Sequence, residues 1–454
     1  MKYLLLSLAF LAAGMTMAAQ TTKWRDLHKV KKKETIYSIS RDYGITVDEL
    51  MEANPEMKSA DYKLKKGTTV FIPFPSSHVV QAVTQPVQQP AENGKAVAET
   101  DVRNRAIRLG VMLPLHDING DGKRMVEYYR GVLMACDSLK SQGISVDVYA
   151  WNVPEDGNVK QTLADPNAAR CDMIIGPLYS KFVADMSAFV ETHHIMMVIP
   201  FSINAPELYS NRHIFQVYQH PQEQNTTTAR RFADWFADCH PVIVDCNDAN
   251  STKGPFTAAL RAQLDSKTIA YSLTSLASAD ENFKKAFDAA KKNVVVLNSA
   301  RVADMNALFG KLSAVTLANP DLQISVFGYT DWMSMADRQL ENFYRYNVYI
   351  PSHFYTNLAT PAAATLSAKY RQNFNQPMMP TCPRFAITGF DHAYFFLKGL
   401  HKYGKEFDGA AGRFGYPPVQ TPLKFERIGN GGLQNRAYLF VHYKPEHQIE
   451  LLNY

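Results

Sequence analysis

Polar side chains gather in two loops of this chain that each follow a buried apolar run. Residues 176–180 form a turn that opens a helical stretch, and residues 201–204 follow the next apolar run. The free backbone N–H groups and the positive dipole end of a helix can hold a carboxylate or another anion. Ligands of open parallel sheets bind outside the carboxyl ends of the strands. The two loops therefore predict a binding site for a small ligand.

Patterns that would indicate catalysis or a metal site are weak. The sequence has no Gly-x-Ser-x-Gly, no His-Glu-x-x-His and no glycine-rich phosphate loop before a lysine. A glycosidase needs only a pair of acids, which a sequence does not exclude. Residues 117–122 open like a calcium loop, but the twelfth position is Tyr128, and Glu127 stands one residue early. We predict a polar turn there, and no catalytic residue, metal ligand, cofactor or enzyme activity.

Apolar strands alternate with helical stretches from residue 105 onward. One helical face is marked by apolar residues at intervals of four, three, four and three, namely Met125, Tyr129, Val132, Cys136 and Leu139. Further helices are predicted at 182–190, 283–291 and 302–312. The predicted strands are 107–113, 146–151, 172–176, 195–200, 242–245, 294–298 and 324–327. This alternation predicts an α/β fold with two parallel sheets in succession, one before and one after about His220.

The order of these pieces resembles the type I periplasmic-binding-protein fold, as in branched-chain amino-acid receptors. The motifs that carry the resemblance are Ile174-Ile175-Gly176-Pro177-Leu178-Tyr179-Ser180, Ile199-Pro200-Phe201-Ser202, and the C-terminal Thr421-Pro422-Leu423-Lys424-Phe425 with Gly429-Asn430-Gly431-Gly432. The resemblance implies a domain at 105–454 with two lobes, the first at about 105–220 and 352–415 and the second at about 221–351 and 416–454.

A ligand in such a fold lies between the lobes. The cleft residues that the resemblance selects are Tyr179, Ser180, Ser202, Ile203, Asn204, Ser299, Thr330 and Asp331. In amino-acid-binding relatives, hydroxyl groups hold the carboxylate and an acid grips the ammonium. Asp331 is the matching acid here and Trp332 the matching wall, although residues 298–301 lack the aromatic side chain of those relatives.

A shorter motif precedes this domain. Residues 28–74 contain, in order, Glu34-Thr35-Ile36-Tyr37-Ser38-Ile39, Ile45-Thr46-Val47-Asp48-Glu49-Leu50, Asn54-Pro55 and Lys65-Lys66-Gly67-Thr68. Thr46 and Glu49 are spaced as a capping box that opens a helix. The order resembles a LysM domain, a βααβ module that binds N-acetylglucosamine-containing glycan, usually peptidoglycan. The resemblance assigns this module to 24–75 and selects Thr35, Ile36, Tyr37, Asn54, Pro55 and Glu56 as glycan contacts.

The remaining segments predict export. Residues 1–19 read as a signal peptide, with Lys2, an apolar run and a small-residue end, which is too short to span a membrane in the mature chain. Residues 76–104 are rich in Gln, Pro, Val and Ala and read as a flexible linker, which would let the module move independently. The net charge of +5 on 454 residues gives no reason to expect nucleic acid as a partner.

These features together predict a non-catalytic protein of the bacterial periplasm or cell wall. We expect it to bind peptidoglycan through LysM and to capture a small solute, such as an amino acid, a peptide or a wall fragment. The alternative is a regulator or scaffold of peptidoglycan synthesis that uses the same fold as a protein-interaction surface. The partner would then be a protein of cell-wall synthesis or, for a solute receptor, of transport.

Overall fold

The N-terminal module is a two-stranded antiparallel sheet with two short helices. A computed structural model describes residues 26–32, 34–58, 62–73, 101–410 and 417–453, so the predicted signal peptide and most of the predicted linker lie outside the described residues. The module consists of β1 (Asp26–Lys29), α1 (Ile36–Tyr43), α2 (Val47–Ala53) and β2 (Thr69–Ile72). The predicted capping box is present, because Glu49 N donates to Thr46 Oγ1 at 3.1 Å and Thr46 N donates to Glu49 Oε2 at 2.6 Å. The βααβ order is confirmed.

The first lobe is built on a seven-stranded, mostly parallel sheet in the order β13-β14-β7-β6-β5-β3-β4. Its strands are β3 (Ile107–Leu113), β4 (Val146–Asn152), β5 (Met173–Ile175), β6 (Met196–Ile199), β7 (Ile214–Gln216), β13 (Phe425–Arg427) and β14 (Leu433–Asn435). Its helices are α3 (Gly120–Lys140), α4 (Val159–Leu163), α5 (Val183–His193), α11 (Pro361–Phe374) and α12 (Phe385–Tyr403). The core that includes α3 and α12 covers one face of the sheet and that of α5 the other, which suits the central strands β5 and β6, whose residues are all apolar and buried.

The second lobe repeats this plan with seven strands in the order β16-β15-β12-β11-β10-β8-β9. Its strands are β8 (His240–Asp245), β9 (Ser272–Ser275), β10 (Asn293–Leu297), β11 (Ile324–Phe327), β12 (Tyr349–Ser352), β15 (Leu439–Lys444) and β16 (Gln448–Asn453). Its helices are α6 (Pro221–Trp235), α7 (Gly254–Ser266), α8 (Asp280–Lys284), α9 (Val302–Ala318) and α10 (Ala336–Arg345). The helix predicted at 283–291 is wrong in extent, because α8 starts earlier and is only 5 residues long. The two successive parallel sheets are confirmed.

The described chain crosses between the two sheets three times. The crossings follow β7, β12 and β14, at residues 217–220, 353–360 and 436–438. We expected residues 416–454 to lie in the second lobe, but β13 and β14 belong to the first sheet, where β14 pairs in parallel with β7. Only the final hairpin, β15 and β16, completes the second sheet. The segment 421–443 therefore contains a lobe crossing, because its successive strands β14 and β15 belong to different sheets.

Two glycines allow α3 and α12 to cross closely. A Cβ atom on Gly131 would lie 1.8 Å from the carbonyl oxygen of Ala386, and one on Gly389 would lie 2.0 Å from that of Tyr128. Backbone atoms fill both positions, so no side-chain movement could make room. This contact fixes the position of α12 beneath the loops that follow β5 and β6.

A buried histidine on α12 makes the stability of the first lobe depend on pH. His392 Nδ1 lies 3.0 Å from the hydroxyl of Tyr128, and burial lowers the pKa of His392 to about 3. The pKa is about 6.5 in an unfolded chain. Between these values the unfolded state binds one proton more than the folded state, so the free energy of unfolding falls as the pH falls.

We expect His392 to contribute up to about 1.4 kcal/mol per pH unit to this loss. Urea denaturation between pH 7.5 and 4.5 measures the slope of the free energy of unfolding against pH. His392→Gln should reduce this slope. His401→Gln, on the partly exposed end of the same helix, is the matched control and should leave the slope unchanged. Equal slopes in the two variants would contradict the assignment.

Candidate functional site

Two predicted cleft loops of the first lobe meet directly. Ser180 Oγ and Ser202 Oγ lie 2.7 Å apart, although 22 residues separate them. Ser202 is buried, and Gln216 Nε2 donates to its carbonyl oxygen at 3.1 Å. Ser180 and Asn204 are exposed, and Ser202 Oγ also lies 3.4 Å from the carbonyl oxygen of Asn204. The structure thus forms a pair of hydroxyl groups at the carboxyl ends of β5 and β6.

The turn before Ser180 requires glycine. Gly176 has a φ of 139°, and a Cβ atom there would lie 2.3 Å from the carbonyl oxygen of Met112. L-amino acids with a side chain rarely adopt this backbone conformation. After the turn, a short 3-10 helix (Ser180–Phe182) leads into α5. The turn brings Ser180 to the start of this helical segment, as the sequence predicts.

Aromatic rings lie next to the hydroxyl pair. Phe201, which precedes Ser202, is partly buried and has ring centroids of Tyr218 at 6.0 Å, Phe385 at 5.6 Å and Tyr128 at 5.4 Å. The guanidinium carbon of Arg124 lies 5.9 Å from the centroid of Phe385. The first-lobe side of the predicted cleft therefore combines apolar ring surface with hydroxyl groups. Phe385 is not among the predicted cleft residues, because its helix begins 183 positions after Ser202.

Tyr179 is hydrogen-bonded to the first turn of α3, the helix that follows β3. Its hydroxyl donates to Asp121 Oδ2 at 3.4 Å. Burial and the neighbouring carboxylate of Asp121 raise the pKa of Tyr179 to about 12, so the phenol stays protonated at neutral pH. In the loop before α3, Asp117 Oδ1 lies 3.7 Å from Lys123 Nζ. The predicted polar turn at 117–122 fits these contacts, with Asn119 Oδ1 accepting from Gly122 N at 2.9 Å.

The predicted hydroxyl groups of the second lobe bond within their own lobe. Ser299 is buried and donates to Asp304 Oδ2 at 2.5 Å. The hydroxyl of Thr330 donates to the carbonyl oxygen of Pro351 at 2.7 Å. Burial alone would raise the pKa of Asp304, but hydrogen bonds from Arg301 and Ser299 lower it. These hydroxyl groups therefore shape the loops, and a ligand would have to compete for them.

Asp331 is exposed and forms an ion pair that the sequence did not reveal. Lys253 Nζ lies 2.7 Å from Asp331 Oδ2 and 4.9 Å from the ring centroid of Tyr329. Lys253 stands after β8, so the rule that ligands bind beyond strand ends could have selected it. Trp332 is not a cleft wall, because it is 1% exposed and packs against Phe309 at 6.2 Å between ring centroids.

A separate groove lies where the lobes join. It has a volume of about 710 Å³ and is lined by Arg230, Lys424, Arg436 and other polar residues. Tyr209 of the first lobe donates there to Glu223 Oε1 of the second at 3.1 Å. The predicted cleft residues do not line this groove. They lie instead on the loops that follow β5, β6, β10 and β11.

In the module, the predicted glycan contacts divide into exposed and buried residues. Thr35 and Tyr37 are exposed, Tyr37 by 69%, and Ile36 is partly buried. Asn54 is fully buried, and its amide donates to the carbonyl oxygens of Leu50 at 2.8 Å and Phe71 at 2.7 Å. Its Oδ1 accepts from Phe71 N at 2.8 Å. The interpretation of Asn54 as a direct glycan contact is therefore corrected, because its polar atoms bind the module's own backbone.

Pro55 and Glu56, the other predicted glycan contacts, lie in a short 3-10 helix (Pro55–Lys58) immediately after Asn54. Asn54 therefore positions the loop that carries them.

Among the described residues, no cluster of three or more His, Cys, Asp or Glu side chains suited to a metal ion is found. In the same part of the chain, no helix has the length and apolar character needed to cross a membrane.

Comparisons with known proteins identify both domains. The model of the LysM domain family matches residues 28–73, and that of the periplasmic binding protein family matches residues 162–415. No curated protein shows significant sequence similarity to the chain.

Solved structures share the fold of the large domain. A structure titled as a putative branched-chain amino acid ABC transporter from Rhodospirillum rubrum is 14% identical with a TM-score of 0.55, covering 77% of this chain and 100% of its own. One from Chromobacterium violaceum with the same description is 18% identical with a TM-score of 0.50, at the same coverages. The periplasmic binding protein match spans more than half of the sequence. The chain therefore belongs to the periplasmic binding protein family and carries a LysM domain before its binding domain.

Proposed function

We propose that this protein is a non-catalytic, wall-associated receptor that binds peptidoglycan through its LysM module and captures a small solute between its two lobes. The observation that carries the proposal is the Ser180–Ser202 hydroxyl pair beside aromatic rings, at the strand ends of the first lobe. Both domain families are families of binding proteins. Both families and the signal-peptide pattern of residues 1–19 support an exported location.

The charges of the second lobe favour a zwitterionic solute. Lys253 and Asp331 neutralise each other at 2.7 Å, and the Asp331 side chain remains 54% exposed. A ligand with a single charge would have to separate this pair and leave one member unbalanced. A zwitterion can place its carboxylate near Lys253 and its ammonium near Asp331, so that both charges stay compensated. Amino acids and short peptides, including the peptides of wall fragments, have this chemistry.

A thermal-shift screen of the mature chain against amino acids, short peptides and muropeptides tests the proposal. A ligand at ~100 times its Kd stabilises the protein by about 2.7 kcal/mol, which should raise Tm by about 3 °C in a domain of this size. We expect Ser202→Ala to abolish the shift. Ser210→Ala, an exposed serine of the same lobe, is the control and should retain it. A shift that survives Ser202→Ala would contradict the proposed cleft.

The second candidate function is a regulator or scaffold of peptidoglycan synthesis. It is favoured by the bonds that already engage Ser299, Thr330 and Asp331 within the second lobe. A scaffold needs none of these side chains to be available to a solute. The absence of a thermal shift across the whole panel would favour this function, and the next experiment would be a search for a protein partner.

A further inference from the structure

A charged contact joins the LysM module to the first lobe. Asp26 Oδ1, on β1, lies 2.5 Å from Arg130 Nη2 and 3.2 Å from Arg130 Nε, on α3. The two side chains are only 9% and 11% exposed. Exposed ion pairs contribute little to stability, whereas breaking a buried pair leaves a buried charge without compensation. The Asp26–Arg130 pair is therefore of the kind that holds two surfaces together.

Within the first lobe, Arg130 contacts neutral groups, among them the Phe374 ring and the Gln376 side-chain oxygen. Arg130 Nη1 donates to the hydroxyl of Tyr370 at 3.1 Å, and Tyr370 in turn donates to Glu127. Glu127 also accepts from Met379 N at 2.8 Å, and its burial raises the pKa of Glu127. Burial alone would lower the pKa of Arg130, but the charge of Asp26 raises it. Asp26 is thus the carboxylate that directly pairs with the guanidinium.

Apolar side chains and a second ion pair extend the contact. Ala53 of α2 is 5% exposed and belongs to the hydrophobic core cluster of the first lobe, against which Phe71 of β2 also packs. At the edge, Lys29 Nζ lies 3.5 Å from Asp117 Oδ2. Three neighbouring parts of the module, β1, the end of α2 and β2, therefore face the same lobe. Tyr37 and Thr35 remain exposed and lie outside this set.

We propose that the LysM module is docked on the first lobe, with the Asp26–Arg130 pair as its anchor, and is not a freely moving tether. The partner surface runs from Asp117, in the loop that follows β3, along α3 to Arg130. The ten residue-to-residue steps of helix from Gly120 to Arg130 span roughly 15 Å. The docked module lies beside the mouth of the cleft and keeps the exposed Tyr37 side available. The docking stands whether or not the module binds glycan.

Weak intrinsic affinity is enough for this docking. Residues 74–100 connect the module covalently to the lobe, and a short connection gives an effective concentration on the order of 1 mM. A docking contact with an intrinsic Kd of ~0.1 mM would then be about nine-tenths formed. One buried ion pair with a small apolar contact is consistent with such an affinity. Reversal of one charge should therefore release the module.

Small-angle X-ray scattering of the mature full chain tests the docking. We expect Asp26→Arg to increase the radius of gyration by about 2–3 Å, because the module would move away from the lobe on its connection. Asp48→Arg makes the same charge change on an exposed position of α2 and should leave the radius unchanged. The double variant Asp26→Arg with Arg130→Asp restores the pair with reversed signs and should return the compact radius.

Hydrogen exchange in the same proteins separates undocking from unfolding. Undocking should lower protection at β1 and β2 about tenfold while α1 and α2 retain theirs, whereas loss of protection throughout the module would mean that Asp26→Arg unfolds it. The double variant then decides the question, since only a restored contact recovers both protection and compactness. A wild-type radius already equal to that of Asp26→Arg, with the module folded in both, would overturn the proposal.

Discussion

Replacing Asn54 by alanine is expected to unfold the LysM module and to abolish binding to insoluble peptidoglycan. The Asn54 side chain makes three hydrogen bonds to backbone groups of Leu50 and Phe71 at 2.7–2.8 Å, in a fully buried position. Alanine would remove all three bonds, and the loss of a hydrogen bond to a buried group costs about 1–3 kcal/mol. A module of this size has only about 3–5 kcal/mol of stability in total. The loss should therefore be close to complete.

Tyr37→Ala is the matched variant, because it should remove binding without removing the fold. Tyr37 is 69% exposed on α1, so its loss leaves no cavity. We expect a fall in peptidoglycan affinity of about tenfold, since an aromatic contact contributes about 0.5–1.5 kcal/mol beyond its buried area. Asp48→Ala, on an exposed position of α2, is the control and should pellet normally.

Pelleting with insoluble peptidoglycan and hydrogen exchange of residues 26–73 distinguish the two variants. Asn54→Ala should lose protection and pelleting together, and Tyr37→Ala should lose pelleting alone. Tyr37→Ala should leave the melting of residues 105–454 unchanged. Normal pelleting of Tyr37→Ala would contradict the glycan assignment, and a protected module in Asn54→Ala would contradict the structural role of Asn54.

Local sequence patterns predicted the module well, because its signals lie within a few residues. The Thr46–Glu49 capping box is an example, since both partners belong to one helix turn. The role of Asn54 was not predictable in the same way. Its partner Phe71 stands 17 positions away, and only the folded module shows that the amide points inward. Asn54 was therefore interpreted as a glycan contact, whereas its side chain stabilises the backbone of the module.

In the large domain, too, local sequence patterns predicted the loops but not the contacts between distant positions. The strand-end rule located the loops of Ser180 and Ser202, and the structure places their hydroxyl groups 2.7 Å apart. The ion pair of Lys253 with Asp331 joins positions 78 residues apart and has no local signal. The sheet membership of β13 and β14 was also missed, because it depends on pairing with β7 and not on the strands' own residues.

Asp391 shows how one such distant contact supports the junction of the lobes. It is fully buried on α12 and accepts from the backbone N–H groups of Val419 at 3.0 Å, Gln420 at 2.8 Å and Thr421 at 2.7 Å. The carbonyl oxygen of Gln420 accepts from Tyr355 N at 2.9 Å, in the crossing that follows β12. Asp391 therefore holds the segment on which that crossing rests.

Asp391→Ala is expected to lower the free energy of unfolding by about 3–5 kcal/mol, because three backbone N–H groups, two of them in fully buried bonds, lose their shared carboxylate acceptor at once. Asp391→Asn is the matched control. Its single oxygen can keep the bonds to Gln420 and Thr421, while its amide group would face the N–H of Val419. It should therefore lose about half as much stability. Urea denaturation at pH 7.5 measures the free energy of unfolding of both variants and of the unmodified protein. A loss below about 1 kcal/mol for Asp391→Ala would show that other contacts hold the segment at 419–421.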